Sequence, residues 1–500
     1  MVSSQLFELI RSLSPAEKAY FKRFAHKQHK RKASPYLQLF DAIDRQKKYE
    51  EGKLQAGFQK FGISGSFPAA KNYLYNLLLH CLTDFHAGKS PEDKLARLMQ
   101  EIHFLKEKKL FPQAAKKIRA ATKIAEEHDF YEQKVLLLNM ERQLLPFQPK
   151  TFEQRMALLQ KMETALDEKH NYVQYRQLYE EMVNLTHRFG WLVKKEDQRK
   201  LVREKLAHPL LRDSHKALTF LAKFNLHNTL TSYYLMLSDW PNTVLQSRLR
   251  LTLFEEFPKY KQLWEQNYLV SLDNHLRLLI TAELLDDFDA TASELETALT
   301  KVKDPSEHLL RHGALVQHRM NRLQKEFRFR EALALIPELE KSAPPKFHNT
   351  GMIISRKFFI ARVCFYNGKF ESALDYLNES LNNKALSIFP DFHFYTELLT
   401  LLTHYQLGNI WLLESLIRSL TRLFQKLERD YAVEKTLIRL LPKLPDISSK
   451  KENQQLFQQF LKKIEPLRED ALERLAFHYF DFVLWAKSQL AQKPIVELFP

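Results

Sequence analysis

Histidines at helical spacing are the first side chains in this sequence that could perform chemistry. His308 and His312 are one helical turn apart, and His318 follows on the same predicted helix. Imidazoles at positions i and i+4 can share a zinc ion, but a site also needs a third ligand, and the sequence indicates none. The chain has nineteen histidines, so chance pairs are common. We therefore expect ordinary core or solvated histidines here and predict no metal site.

Other residue types that commonly serve catalysis also lack a supporting pattern. Asp286, Asp287 and Asp289 could act as paired carboxylates, but they fall in a predicted turn, where we expect them to face water. The only close glycine pair, Gly62 and Gly65, is not followed by the Gly-Lys-Ser/Thr of a phosphate-binding loop. Signatures of zinc proteases, serine hydrolases and calcium loops are absent from the sequence. The sequence therefore predicts no catalytic residue, no cofactor and a protein that is not an enzyme.

A basic segment near the start of the chain is the sharpest candidate for binding a charged partner. Ser14 and Glu17 form a predicted capping box ahead of a helix with aromatic side chains on one face. Cations cover the rest of this basic patch: Lys18, Lys22, Arg23, Lys27, Lys30, Arg31 and Lys32. They could neutralise nucleic-acid phosphates, or they could form a solvated helix face. A related interpretation is a helix-turn-helix with Lys71–Tyr75 as its recognition segment.

The elements that would position these residues are predicted to be helices. The 500 residues contain only ten glycines, far below average usage, so we expect few turns with positive φ and no β-rich fold. Many prolines stand alone near predicted helix ends, where a missing N–H costs little in a first turn. The sequence shows no membrane-spanning apolar run and no signal-peptide layout, so we expect a cytoplasmic protein without membrane insertion. Cys81 and Cys364 are too few for a disulfide scaffold.

The charge distribution and the proline-containing breaks divide the chain into three predicted parts. The formal net charge is +16, and residues 1–90 hold fifteen Lys and Arg against seven Asp and Glu. This predicts a basic N-terminal helical domain at 1–90. Longer helices in pairs are predicted over 91–445. A proline-rich break precedes 446–500, where a long helix from Pro466 is expected to cap the stack.

An internal repeat is the main organising feature of the middle part. Six bulky residues are each followed three positions later by a second aligned residue, and from the second to the sixth the period is close to forty residues. The aligned pairs are Phe111/Ala114, Trp240/Thr243, Phe288/Thr291, Phe329/Ala332, Phe370/Ala373 and Ile410/Leu413. Such a period is typical of stacked helix pairs that share a continuous core.

The best-formed unit runs from Ala361 to Ser380 and resembles a tetratricopeptide repeat. It has a small residue on its first helix, a turn glycine at Gly368, an aromatic at Phe370 and a small residue at Ala373 on its second helix. The resemblance implies an all-α fold, an α-solenoid of stacked helix pairs. It also implies a binding groove lined by first-helix residues, which would include Asn225, Asn228, Ser232, Gln317, Asn321, Gln324, Lys325, Ser355 and Arg362.

Two functions follow as hypotheses. The first is a protein–protein interaction scaffold or adaptor that binds a partner's peptide or helix in the groove of the repeat array. The alternative is a nucleic-acid-binding regulator that uses residues 1–90 on DNA or RNA, with the repeats as a sensing or dimerising module. The second hypothesis predicts binding that weakens steeply with salt, whereas the first does not.

Overall fold

The structure is a computed structural model, and it describes residues 4–28, 35–61, 63, 66–86, 88, 90–146, 148–343, 350–445 and 449–499. Regular secondary structure in these ranges is helical throughout, and no strand occurs in them. This confirms the all-α prediction. Two compact units divide the chain, an N-terminal unit of residues 1–169 and a C-terminal unit of residues 170–500. The boundaries proposed from sequence at 90/91 and 445/446 remain predictions.

Five helices form the first part of the N-terminal unit around a shared apolar core. The capping box predicted at Ser14 is present, because its N–H donates to Glu17 Oε2 at 2.7 Å and its Oγ accepts from the Glu17 N–H at 3.3 Å. Phe21 and Phe40 are fully buried, and their ring centroids are 4.8 Å apart. The helices are α1 (Gln5–Ser12), α2 (Pro15–Gln28), α3 (Pro35–Asp44), α4 (Glu51–Gly57) and α5 (Phe67–His86).

Longer helices that contact their sequence neighbours follow in the N-terminal unit. They are α6 (Pro91–Glu107), α7 (Phe111–Glu127), α8 (Tyr131–Leu144) and α9 (Phe152–Phe189), and the unit boundary falls within α9. α7 packs against both α6 and α8. It buries Ala114, Ala121 and Ala125, and small side chains at such positions let helices approach closely.

Consecutive helix pairs build the C-terminal unit. α12 packs against α13, α15 against α16, α17 against α18, α20 against α21, and α22 against α23. The first helices also meet in order, since α15 contacts α17, α17 contacts α20 and α20 contacts α22. This arrangement is compatible with a helical repeat. The helices are α10 (Glu196–Leu206), α11 (Pro209–Arg212), α12 (Phe220–Met236), α13 (Trp240–Glu256), α14 (Lys259–Leu263), α15 (Glu265–Ala282), α16 (Phe288–Leu299), α17 (Pro305–Lys325), α18 (Phe329–Ala334), α19 (Ile336–Lys341), α20 (Thr350–Tyr366), α21 (Phe370–Leu381), α22 (Pro390–Gln406), α23 (Ile410–Lys426), α24 (Ala432–Leu440), α25 (Lys450–Ile464), α26 (Arg474–Tyr479) and α27 (Phe482–Ala491).

The six residues aligned in the sequence each begin a helix, namely α7, α13, α16, α18, α21 and α23. The second residue of every aligned pair is buried. The burial of the bulky first residue varies from pair to pair. Trp240, Phe288 and Phe329 are buried, whereas Phe111 is 48% exposed and Ile410 is 40% exposed. The alignment thus identifies helix starts and one recurring core position, while the aromatic position is only partly a core position.

Residues with positive φ are few in the described chain, as expected, but seven of the eleven are not glycine. Gly368 and Gly408 have positive φ between the helices of their pairs, but so do Ser238, Glu283 and Phe327 at corresponding turns. The left-handed conformation costs an L-residue about 1–2 kcal/mol. It also lets the following N–H groups bond back to the last carbonyl oxygens of the helix. These hydrogen bonds offset the strain, and glycine is not required.

The last described residues, 465–499, form a separate segment, which we name the C-terminal segment. A single long helix was predicted from Pro466, and this prediction is wrong because Phe480 and Asp481 separate α26 from α27. Phe480 has extended backbone angles. Asp481 is the N-cap of α27, and its carboxylate accepts a hydrogen bond from the N–H of Leu484 at 3.0 Å.

The C-terminal segment lies along the helix pairs rather than at one end of them. Trp240, at the start of α13, donates through Nε1 to the carbonyl oxygen of Ala471 at 3.0 Å. Tyr479 stacks on Tyr395 of α22, with ring centroids 4.5 Å apart. A terminal cap would need a polar outer face, but the aromatic residues of this segment are buried on several sides. The contacts of this segment extend from α13 to α22, and its role as a cap of the stack stays a prediction.

No helix in the described part of the chain is long and apolar enough to cross a bilayer.

Candidate functional site

A partly open cavity of about 440 Å³, which we name the main cavity, lies within the C-terminal unit. Helices α15, α17, α20 and α22 contribute to its wall, together with α26 of the C-terminal segment. Its apolar lining is largely aromatic and comprises Trp191, Leu235, Trp240, Ile280, Ala314, Met352, Phe359, Phe389, Phe392 and Leu475. Its polar lining includes Asp273, Arg277, Thr281, Gln317, His318, Asn321, Ser355, Arg356, Asp391, His478 and Tyr479. This combination of an apolar wall and a few polar groups is typical of a ligand-binding site.

The predicted groove residues are distributed over three places in this unit. Gln317, Asn321 and Ser355 line the main cavity. Asn228 and Ser232 line a second cavity of about 360 Å³. Gln324, Lys325 and Arg362 surround a narrow space beside Asp481. The structure therefore brings most of the predicted groove residues to cavity walls, although not to one continuous groove.

The side chains of two predicted groove residues, Asn225 and Lys325, form contacts with other residues of the same unit. Asn225 is 6% exposed, and its side-chain amide donates to the carbonyl oxygen of Leu221 in the same helix at 3.0 Å. Asn225 does not line these cavities. Most residues of α12 are buried, so a polar side chain on this helix need not face solvent. Lys325 forms an ion pair with Glu283 at 2.5 Å. Neither side chain is free to hold a partner.

Arg362 forms the hydrogen-bonding centre of the contact with the C-terminal segment. Its Nη1 donates to the carbonyl oxygens of His478 at 2.5 Å and Tyr479 at 3.0 Å. Its Nε donates to Gln324 Oε1 at 3.1 Å, and its Nη2 donates to Asn321 Oδ1 at 2.8 Å. Burial lowers the pKa of Arg362. Arg362, one of the residues expected to hold a partner peptide, thus binds a segment of the chain itself, and two others, Asn321 and Gln324, hold its guanidinium.

A buried acid–base network forms part of the main cavity wall. His318 Nε2 lies 2.7 Å from Asp273 Oδ1, and the Arg311 guanidinium lies 3.7 Å from the other oxygen of this carboxylate. Burial opposes ionisation of Asp273, but the hydrogen bond from His318 and the charge of Arg311 lower its pKa overall. Asp273 therefore remains an anion whose charge is already balanced. This network holds α15 against α17.

The histidines considered as metal ligands are separated by these contacts. His318 pairs with Asp273, whereas His312 Nε2 lies 3.1 Å from Glu338 Oε1. His308 only stacks on His312, with ring centroids 6.2 Å apart. Among the described residues, no group of three His, Cys, Asp or Glu side chains is arranged to hold a metal ion. Nearby, Asp287 pairs with Arg248 and Asp289 with Arg322, so both take part in ion pairs between helices.

Part of the basic patch is occupied by internal ion pairs. Lys18 Nζ lies 2.6 Å from Asp44 Oδ1, and Lys22 Nζ lies 2.8 Å from Asp41 Oδ1, so both lysines link α2 to α3. Arg23 is exposed beside the Tyr20 ring. Lys27 belongs to α2, while Lys30, Arg31 and Lys32 lie outside the described residues.

The helix-turn-helix interpretation places a buried residue in the recognition segment. Lys71 is 4% exposed, and its Nζ lies 2.5 Å from Glu51 Oε1 and 3.4 Å from the Tyr49 hydroxyl. A side chain held in this way cannot reach the edge of a base pair. Tyr73 is half exposed, and its ring packs on Tyr36 with centroids 4.4 Å apart. Lys71 and Leu74 of this segment therefore belong to the core of the N-terminal unit, whereas Asn72 and Tyr73 are exposed.

No family model matches this chain, and comparison with curated proteins finds no relative. The function must therefore be inferred from its own residues. Sequence reasoning missed Arg250 and Arg277, two cavity-lining arginines within long apolar helices. Both arginines stand between leucines, Arg250 between Leu249 and Leu251 and Arg277 between Leu276 and Leu278. Only Arg250 is buried, so this sequence signal does not identify burial.

Proposed function

We propose that this chain is a non-enzymatic scaffold, a degenerate tetratricopeptide-like solenoid that binds a segment of a partner protein at the main cavity. The ordered contacts from α15 through α17 and α20 to α22 support this proposal. In such a solenoid one helix of each pair would lie along a common face, as in proteins that bind peptides through helical repeats.

The observation that carries the proposal is that this face already holds a peptide segment through its main chain. Arg362 donates to the carbonyl oxygens of His478 and Tyr479, and Trp240 donates to that of Ala471. Main-chain hydrogen bonds of this kind hold a segment whatever its side chains are, while pockets beside it supply specificity. A second segment can be held beside the first by the same kind of contact.

The side chains left around the main cavity define the partner chemistry. Gln317 and Ser355 are partly exposed there, and an amide and a hydroxyl can both donate to and accept from a peptide backbone. Trp240 and Phe359 offer an apolar wall for one inserted side chain. We therefore infer a partner segment with an apolar or aromatic anchor, which is the side-chain type that dominates binding energy at such sites.

Photo-crosslinking from the cavity tests this function in the full-length protein. A photoreactive amino acid at position 317 should yield a crosslinked protein in native cells, insensitive to nuclease, and the crosslinked peptide should be identifiable by mass spectrometry. The matched control carries the same amino acid at position 414, because Glu414 is exposed on α23 away from the cavity. The absence of adducts from position 317, or the same adducts from both positions, would contradict the proposal.

A double variant provides an independent test. Gln317→Ala with Ser355→Ala should reduce capture of the crosslinked partner while leaving the helical circular dichroism unchanged, because neither residue is part of the buried core. Arg362 is unsuitable for this purpose because it binds the C-terminal segment, and Asn321 and Gln324 are unsuitable because they accept hydrogen bonds from Arg362. Unaltered capture by the double variant would place the partner elsewhere on the protein.

A further inference from the structure

The second cavity, which we name the Arg250 cavity, contains an arginine that the fold leaves incompletely paired. Arg250 is 6% exposed, and its Nη1 donates to Asn228 Oδ1. Its Nε and Nη2 atoms are buried and have no hydrogen-bond partner. Leaving a guanidinium buried with unused donors costs several kcal/mol. Such a residue indicates that something other than the described chain completes the site.

A second arginine lies at the same cavity. Arg277 lines the Arg250 cavity and the main cavity, and among the described residues no carboxylate forms an ion pair with it. The nearby carboxylate of Asp273 is bound to His318 and Arg311. Burial and the charge of Arg277 lower the pKa of Arg250 to about 10. Arg250 is buried, whereas Arg277 is exposed to solvent and lies near the charge of Asp273. Both guanidinium groups therefore line one cavity, and among the described residues no carboxylate forms an ion pair with either of them.

The remaining lining of the Arg250 cavity suits a small organic molecule. Polar groups that could contact an anion are supplied by Thr186, His187, Asn228, Ser232 and Asn274. Met182, Val183, Trp191, Leu235 and Leu278 supply the apolar lining. The volume of about 360 Å³ falls in the range of small-molecule sites. A planar guanidinium matches the two oxygens of a carboxylate or phosphate, which gives strong paired hydrogen bonds.

We propose that the Arg250 cavity binds a small organic oxyanion, a phosphate monoester or a carboxylate, with its charged group between Arg250 and Arg277 and its apolar body against Trp191. This function is additional to partner capture and does not depend on it. The ligand supplies the negative charge that the described part of the fold does not. Trp191, which lines both cavities, is the natural reporter of occupancy.

Binding of simple probes to the full-length protein tests the proposal. Phenyl phosphate and benzoate represent the two oxyanion types, inorganic phosphate lacks the apolar body, and benzyl alcohol lacks the charge. We expect saturable quenching of tryptophan fluorescence, confirmed by calorimetry, with phenyl phosphate, benzoate or both. The probe that binds more tightly, phenyl phosphate or benzoate, identifies the anion type. Benzyl alcohol should bind far more weakly, and inorganic phosphate should compete at higher concentration.

Two variants assign binding to this cavity. Arg277→Gln should lower the affinity for the more tightly bound probe roughly 10- to 100-fold, as expected for loss of a charge-assisted hydrogen bond. Arg422→Gln removes the same charge from an exposed position on α23 and should leave affinity unchanged. Arg250→Met should abolish binding without lowering the melting temperature of the unligated protein, because it removes an incompletely paired buried charge.

Three outcomes would contradict the proposal of an anion site in the Arg250 cavity. One is the absence of saturable binding by either organic anion. Another is equal affinity in the wild type and Arg277→Gln, which would move the anion to a different surface. The third is a fall in melting temperature for Arg250→Met with unchanged probe affinity, which would make Arg250 a structural residue.

Discussion

The guanidinium of Arg362 donates a hydrogen bond to the main-chain oxygen of His478, at 2.5 Å, across 116 positions of sequence. The contact is fully buried, since Arg362 is 5% exposed and His478 is 9% exposed. A charged donor bonded to a main-chain carbonyl does not depend on the side chain at that position. The C-terminal segment is therefore held at this point by its backbone path rather than by the identity of one residue.

Replacing Arg362 with methionine should loosen the C-terminal segment. Arg362→Met leaves the amides of Asn321 and Gln324 and two carbonyl oxygens without their donor, and we expect a loss of about 2–4 kcal/mol in unfolding free energy. All five tryptophans lie within residues 170–500, so their fluorescence in urea follows the C-terminal unit. Hydrogen exchange should also rise in residues 474–481.

The control for this experiment is Arg418→Met, which removes an exposed cation from α23. Changes at exposed sites of this kind are usually small. Equal urea midpoints for Arg362→Met and Arg418→Met would mean that the C-terminal segment is held by its apolar contacts alone.

The all-α fold and the helix starts were predictable because both depend on local sequence. Phe329 begins α18, and Ala332 is buried one turn later, as the repeat alignment predicts. The signals responsible are short-range: apolar spacing and a bulky residue at each helix start. The path of the C-terminal segment has no such signal. Its contact between Arg362 and His478 joins residues far apart in sequence, and either residue alone is compatible with solvent exposure.

The candidate site was only partly predictable for a related reason. Gln317 and Ser355, which the resemblance to tetratricopeptide repeats implied as groove residues, line the main cavity. Arg250 and Arg277 were not expected, because a charged residue on a helix usually indicates its solvated face. Arg250 lies among the buried residues of α13, beside Ser247 and Leu251, whereas Arg277 in α15 is exposed and lines the cavity. Only the tertiary arrangement shows that these two cations face a cavity.

Acid should destabilise the C-terminal unit through buried histidines, with His275 as a clear case. His275 is 1% exposed, and burial, with the nearby charges of Arg250 and Arg248, lowers its pKa to about 4, while Asp287 opposes this shift. The folded protein keeps the ring neutral, whereas the unfolded chain takes up a proton below about pH 6.5. The contribution of the neutral His275 ring to the unfolding free energy is therefore complete above that pH and is lost as pH falls towards 4.

His275→Gln should reduce this pH dependence. We expect the wild type to lose roughly 2 kcal/mol more than the variant between about pH 7.5 and pH 5, measured as unfolding free energy by tryptophan fluorescence. His170→Gln is the control, because this side chain is exposed. Parallel pH curves for His275→Gln and the wild type would show that His275 does not control acid stability.

The lysines of the basic patch should contribute to the stability of the N-terminal unit more than to nucleic-acid binding. Lys18 and Lys22 are paired with Asp44 and Asp41. We expect Lys18→Gln with Lys22→Gln to lower the unfolding free energy by about 0.5–2 kcal/mol, since both ion pairs are partly buried. Hydrogen exchange in α2 and α3 should rise, and anisotropy with labelled duplex DNA or RNA should not change.

The reciprocal variant, Asp41→Asn with Asp44→Asn, separates the two functions of these lysines. It should also loosen α2 against α3, because the same ion pairs are lost. If the N-terminal unit binds nucleic acid through these cations, the variant frees them and should strengthen salt-dependent binding. Opposite effects of the two double variants on DNA or RNA affinity would support the nucleic-acid hypothesis and contradict the structural role.

Gly313 should not tolerate the side chain that helix propensity favours. Alanine normally stabilises a helix interior by about 0.5–1 kcal/mol relative to glycine, but a Cβ at position 313 would overlap Ser342 Oγ and Arg356 Nη2. Both neighbours are buried. We expect Gly313→Ala to lower the unfolding free energy of the C-terminal unit by about 1–3 kcal/mol. Adding Ser342→Gly should recover part of this loss, because it removes one of the two overlaps. A higher urea midpoint for Gly313→Ala alone would show that the close contact between α17 and α20 relaxes without cost.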